Sequence, residues 1–277
     1  MLPYVVAAMR ILLLGAAVLL HGCDTFPLTA EPRVLVSPYL AEYRLRGDIA
    51  MQNDPGTGPQ DNAPQSLNQF GFGHHEDDIG IRTDVGDGFA GIRFDYYQLS
   101  MNTSHTGVLN DDFGHLLAGD VVRMSASMDE WRLGWTQHVF REKYSIQNQP
   151  LEVHAGLGGV YAHRDLGMHM RTNDGTRTQD LRHTGDAFYA SGRLRAELKN
   201  VAFDVDYAIS PDLVTGDFDG VQQDFEARLA YTVPFQDVTL YGGYRYSTWH
   251  AEGHEGGLAF DSDLVLDGWQ FGVTVSF

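Results

Sequence analysis

Apolar and polar residues alternate with period two over long stretches of the chain, most regularly in its C-terminal half. From Phe188 the apolar set is Phe188, Ala190, Leu194, Ala196 and Leu198, set against Tyr189, Ser191, Arg193, Arg195 and Glu197. From Val201, the residues Val201, Phe203, Val205, Tyr207 and Ile209 alternate with Ala202, Asp204, Asp206 and Ala208. From Phe225, Ala227, Leu229, Tyr231 and Val233 follow in step, against Asp224, Glu226, Arg228 and Thr232. The chain closes on Trp269, Phe271, Val273, Val275 and Phe277, interleaved with Gln270, Gly272, Thr274 and Ser276. Each segment reaches the roughly ten residues that a tilted transmembrane strand needs. Aromatics gather toward segment ends, as they do at membrane interfaces.

Connections of two kinds separate these segments. Short ones are read at Gly86-Asp87-Gly88, Asp129-Glu130, Asp165-Leu166, Lys199-Asn200 and Pro234 to Asp237. Long polar ones are read at Gly47 to Glu76, Asn102 to Leu117, Tyr144 to Pro150, Asn173 to Gly185, Pro211 to Val221 and Ala251 to Asp263. Their alternation predicts an all-β, antiparallel up-and-down barrel of about twelve strands, both termini on one side, with ten as the alternative count. The difference turns on whether Gly167 to Thr172 is a strand of its own.

Composition narrows the reading. Lysine is scarce beside 31 Gly, 13 Tyr and 15 Phe, a mixture that favours strands and turns over helices. The mean hydropathy of −0.25 does not contradict a membrane barrel, since a spanning strand shows lipid only every second residue. With 37 acidic against 19 basic residues, a net charge of −18, the chain is a poor partner for nucleic acid.

The N-terminus reads as an export leader: Arg10 followed by the apolar run Ile11 to Leu20, too short to span a bilayer. The run ends in Leu20-His21-Gly22-Cys23, which resembles the bacterial lipoprotein box except at His21. That resemblance implies a signal peptide at 1–22, acylation of Cys23, a linker at 23–32 and a barrel at 33–277; ordinary leader removal nearer Ala30 is the alternative. Cys23 is the single cysteine, so neither an internal disulfide nor a Cys-based metal site is expected. The final strand, from Trp269 through Phe271, Val273 and Val275 to Phe277, resembles the C-terminal signature of Gram-negative outer-membrane β-barrels. This implies an outer-membrane location, recognition by the barrel-assembly machinery, and membrane lipid and glycolipid as partners.

If the polar faces line a lumen, the expected charge network is Glu42, Arg44, Arg46, Arg82, Asp84, Arg93, Asp95, Arg123, Arg132, Glu152, Arg193, Arg195, Glu197, Asp204, Asp206, Asp224, Glu226, Arg228 and Arg245. Such a network either fills a narrow barrel as a structural envelope component or lines a channel for small solutes. An outer-membrane enzyme acting on lipid or glycolipid is the alternative, with His138 or His154 to test beside Ser125 and Ser127. A third reading is a soluble, lipid-anchored periplasmic β-sandwich. No cofactor and no resident metal are expected: His74, His75, His250 and His254 match no zinc motif. Divalent cations at the acidic loops, around Asp111, Asp112, Asp217, Asp219, Glu252, Glu255, Asp261 and Asp263, are a further candidate partner.

Overall fold

The computed structural model describes residues 33–53, 62–102, 105–211 and 214–277; Cys23 and the leader lie outside them. Among the described residues, period-two segments rich in β-branched and aromatic side chains form thirteen strands. In chain order these are β1 (Arg33–Met51), β2 (Gln65–Ser66), β3 (Glu76–Gly86), β4 (Gly91–Asn102), β5 (Gly107–Val108), β6 (Val121–Ile146), β7 (Gln149–Thr172), β8 (Thr178–Leu198), β9 (Val201–Pro211), β10 (Val214–Gly216), β11 (Phe218–Thr232), β12 (Val238–Glu255) and β13 (Leu258–Ser276). Leaving out the short β2, β5 and β10, ten of them form a closed antiparallel ring in which every strand pairs with its neighbours along the chain and β13 returns to β1. The closed ring excludes the two-layered sandwich. β2, β5 and β10 pair with β1, β6 and β8 near the rim, above the shorter β3, β4 and β9.

Ten is the lower of the two expected counts, and the reason is local. Asp129-Glu130 and Asp165-Leu166 are not turns. Both sit in mid-strand, where Asp129 faces Asp165 and Glu130 faces Arg164 across β6 and β7. Two merged pairs of segments remove two strands. The connection expected from Tyr144 to Pro150 contracts to a hairpin turn at Gln147 and Asn148, both with positive φ (52° and 64°). The loop expected from Ala251 to Asp263 contracts likewise to Gly256-Gly257 (φ 59° and 87°).

Arg33 and Phe277 lie at one end of the ring with the turns after β3, β6, β9's predecessor β8, and β11; this is the terminal end, and the opposite rim is the far end. Around the terminal half runs an apolar outer belt: Phe188, Leu194 and Leu198 on β8, Phe203 on β9, Leu229 and Tyr231 on β11, Trp269 and Phe271 on β13, and Phe277 just after it are all exposed. From Trp269 to Phe277 and from Leu198 to Phe188 this matches the roughly 9–11 residues a spanning strand requires. Aromatics mark its upper edge, with Trp131, Tyr161 and Phe188 in a row at centroid distances of 5.0 Å and 5.0 Å.

Above that edge the two faces of the wall exchange character. On β6 the inward positions Val122, Met124, Ala126 and Met128 are apolar and buried, while the outward Arg123, Ser127 and Asp129 are exposed. Below it, from Glu130 onward, the inward positions are polar and the outward ones apolar. The far half is thus built like a water-soluble barrel, with one contiguous core that includes Phe70 and Phe113 from the segments capping the rim, packed edge to face at 5.1 Å.

Candidate functional site

The inward positions at belt level carry charge in both signs. Glu130 (0% exposed) is gripped by Arg164, which donates through Nε at 2.6 Å, by Arg245 at 2.7 Å, and by Arg132 at 3.0 Å. Asp224 receives Arg245 at 2.9 Å and Arg132 at 3.0 Å. Arg82 spans the interior, donating to Asp95 (2.7 Å) and Glu226 (2.9 Å), while Tyr39 donates to the same Asp95 and Gln270 to the same Glu226. Toward the terminal end Arg93 meets Asp84 at 2.7 Å and Asp206 at 3.3 Å, Arg195 meets Asp204 at 2.8 Å, and Arg228 meets Glu226 at 3.1 Å. Charges of this kind are enclosed at acceptable cost only when each has partners. Aromatic rings form the boundary with the far-half core: Arg245 lies 4.9 Å from the Tyr97 centroid and Arg164 lies 4.3 Å from that of Trp249.

Below this layer the β3–β4 turn folds back into the terminal mouth. Asp87 caps its own turn by accepting from the backbone N–H of Phe89 and Ala90, and its other oxygen lies 2.7 Å from His138 Nε2. Phe89 (3% exposed) is stacked on His138 at 4.9 Å and lies 5.2 Å from His154. Arg193 and Arg195 donate to the carbonyls of Phe89 and Gly88 at 2.8 Å and 2.9 Å. The space left around the turn is about 70 Å³ on the inner side and about 240 Å³ at the mouth, where Glu197 also lines the wall.

Of the residues expected in the lumen, Arg82, Asp84, Arg93, Asp95, Arg132, Arg193, Arg195, Asp204, Asp206, Asp224, Glu226, Arg228 and Arg245 come together in this layer. Glu152 lies lower, with Lys143 at 2.6 Å and Arg141 at 3.5 Å. Four others do not belong to it. Glu42, Arg44, Arg46 and Arg123 point outward, because they lie above the girdle, where the inward positions of β1 are Tyr43 and Leu45. Arg44 and Arg46 instead converge on Asp267 at 2.9 Å and 2.8 Å. Ser125 and Ser127 also sit on outward positions in the far half, so neither can meet His138 at the terminal mouth. Glu130 and Arg164, the middle of the network, are missing from the expected set because Asp129-Glu130 reads as a turn and Arg164 adjoins another read at Asp165-Leu166. The unbroken inward series Val122, Met124, Ala126, Met128, Glu130, Arg132 was the signal available.

Two acidic regions are separate. Asp112 accepts from Asn53 and from the Ala118 N–H as loop structure. On the outer face of β11–β13, Asp219, His250 and Asp263 lie side by side across three strands, with Glu252 opposite Asp261 in the next row. His250 Nδ1 is 2.9 Å from Asp263, and ligand-type atoms of Asp219, His250 and Glu252 lie within 4.8 Å of one another.

No family model matches the chain, and no curated protein does. Solved structures with a similar course include the outer membrane protease OmpT of Escherichia coli (9% identity, TM-score 0.47, 88% of this chain and 97% of that one). The toluene transporter TodX of Pseudomonas putida (9%, TM-score 0.26, 91% and 92%) and a FadL homologue of Pseudomonas aeruginosa (8%, TM-score 0.27, 89% and 90%) are also similar. These likenesses concern the course of the barrel and carry no residue of function to this chain.

Proposed function

We propose that this is a non-conducting outer-membrane barrel, a structural component of the cell envelope whose far half stands out of the bilayer as a rigid β-platform. The single observation that supports this reading is the seal across the interior. A cross-linked layer of arginines and carboxylates at belt level is backed by a packed apolar core above and by the Phe89 turn below. A channel needs a wetted path, and among the described residues the inward positions are spent on one another. The apolar belt, of spanning height and aromatic upper edge, supports membrane insertion.

In this reading the leader exports the chain, Cys23 takes an acyl group, the Trp269 to Phe277 face is the surface the assembly machinery engages, and membrane glycolipid surrounds the belt. Divalent cations at the His250 cluster belong to the same reading. The purified full chain, reconstituted in planar bilayers, should be silent at voltages that open ordinary pores. Steady conductance steps in proportion to inserted protein would replace this reading with that of a channel.

A further inference from the structure

Outside the barrel, just above the girdle, lies a polar groove of about 350 Å³ that the sealed interior does not explain. It runs across four strands in register. One row is Ser100, Ser127, Gly167 and Arg182, and the next is Asn102, Ser125, His169 and Asp180. Serine and glycine keep the floor low, and hydroxyls, an amide, an imidazole and a carboxylate offer donors and acceptors along it. Glu255 reaches its rim, and Arg182 is tied to Asp165 by a bidentate contact at 2.5 Å and 2.9 Å.

The row above holds Arg123 and Arg171, directly opposite one another on β6 and β7. Both are exposed, and neither has a hydrogen bond or ion pair among the described residues. Like charges facing each other across an antiparallel pair repel. In a chain with 37 acidic residues, a carboxylate to relieve them would be easy to place, and none is there. Two guanidinium groups left unpaired side by side form a bidentate receptor for a phosphate. Below the acids Asp129 and Asp165 the next row is Trp131, His163 and Asp186, and the one beneath it Leu133, Tyr161 and Phe188; the rings of Trp131, Tyr161 and Phe188 touch in series down this path, at the level where the apolar belt begins.

We infer that this groove seats the headgroup of a phosphorylated glycolipid. Its phosphate lies on Arg123 and Arg171, its sugar occupies the groove floor with hydroxyls toward Asp180 and Ser127, and its acyl chains run down over Trp131, Tyr161 and Phe188. The inference rests on the reading of the belt as covered by lipid.

The test uses the full chain in phosphatidylcholine vesicles, alone or doped with a bisphosphorylated diglucosamine lipid or with the same lipid stripped of phosphate. Bound lipid is counted by native mass spectrometry after release. The phosphorylated lipid should be retained, and the R123A/R171A double variant should retain it at least about tenfold less, the loss expected when charge-assisted hydrogen bonds are removed. Ser127→Trp, which fills the floor and leaves both arginines, should give a comparable loss, and the phosphate-free lipid should bind the native protein as poorly as the double variant does. Equal retention by native and double-variant protein overturns the proposal. Full displacement by millimolar inorganic phosphate does so too, since the site would then take any phosphate. A protein that inserts but does not discriminate defeats the glycolipid site alone, whereas one that never enters the vesicles defeats the membrane reading with it.

Discussion

Glu130 and Trp131 are adjacent in sequence and face opposite surroundings: Glu130 is enclosed by Arg132, Arg164 and Arg245, whereas Trp131 lies on the outside against Tyr161. This pair marks the level at which the wall reverses. Removing the carboxylate strands Arg164 in the interior and leaves Arg132 and Arg245 to share Asp224, so Glu130→Ala should destabilise the barrel by about 3–5 kcal/mol. Glu42→Ala, at a position expected in the lumen but found outside, should change stability by no more than about 0.5 kcal/mol. Urea unfolding in detergent measures both, and equal effects would place the two residues in like environments.

The four tryptophans report the belt directly. Trp131, Trp135 and Trp269 stand on outward positions, whereas Trp249 is 2% exposed inside the far core. In single-tryptophan variants reconstituted with brominated lipid, the first three should be quenched strongly and Trp249 hardly at all. Quenching of Trp249 to the same degree would contradict the reversal of faces.

Phe89 closes the terminal mouth between two imidazoles and two guanidiniums. Phe89→Ala should cost about 3–5 kcal/mol of stability, the range for emptying a buried aromatic site. It should not produce conductance, because the ion-pair layer and the apolar core remain in series behind it. Current through the F89A variant in planar bilayers would show that the turn alone holds the barrel shut.

Asp174, in the β7–β8 turn beyond the belt, accepts from Thr172 Oγ1 (2.6 Å), the Thr176 N–H (3.1 Å) and Thr176 Oγ1 (2.8 Å). These bonds, the Thr172 hydroxyl first, hold its carboxyl down at about 2 from an ordinary 3.8. A depressed carboxyl stabilises the turn above its unfolded value, and that contribution fades as pH falls from there through about 2. A carboxyl titration by NMR should show the low midpoint in the native protein, and one near 3.8 would mean the three bonds are not made.

Much of this architecture was legible in the residues. Alternation from Phe188 to Phe277 located the long wall strands, their outward faces and the inward arginines and carboxylates of the C-terminal half. What escaped was the assumption that one face stays inside along a whole strand. On β1 and β6 the inward series passes from Ser37 through Tyr43 to Leu45, and from Arg132 through Met128 to Met124, so polarity alone assigns Arg44 and Arg123 to the wrong side. Phe89 was hidden for another reason: a Gly-Asp-Gly turn announces a reversal of the chain but not that it folds back into the mouth.

The reversal also constrains how such a chain reaches its place. Once Met124, Met128, Met168 and Met170 have packed with Trp249 and Phe260, the far half is a hydrated body as wide as the ring below it. Drawing that finished body through hydrocarbon would strip water from Arg123, Arg171 and Asp129 all at once, a cost of several kcal/mol for each ion. On the membrane reading proposed above, its hairpins cross while still unpacked, and its methionines find one another only after passage.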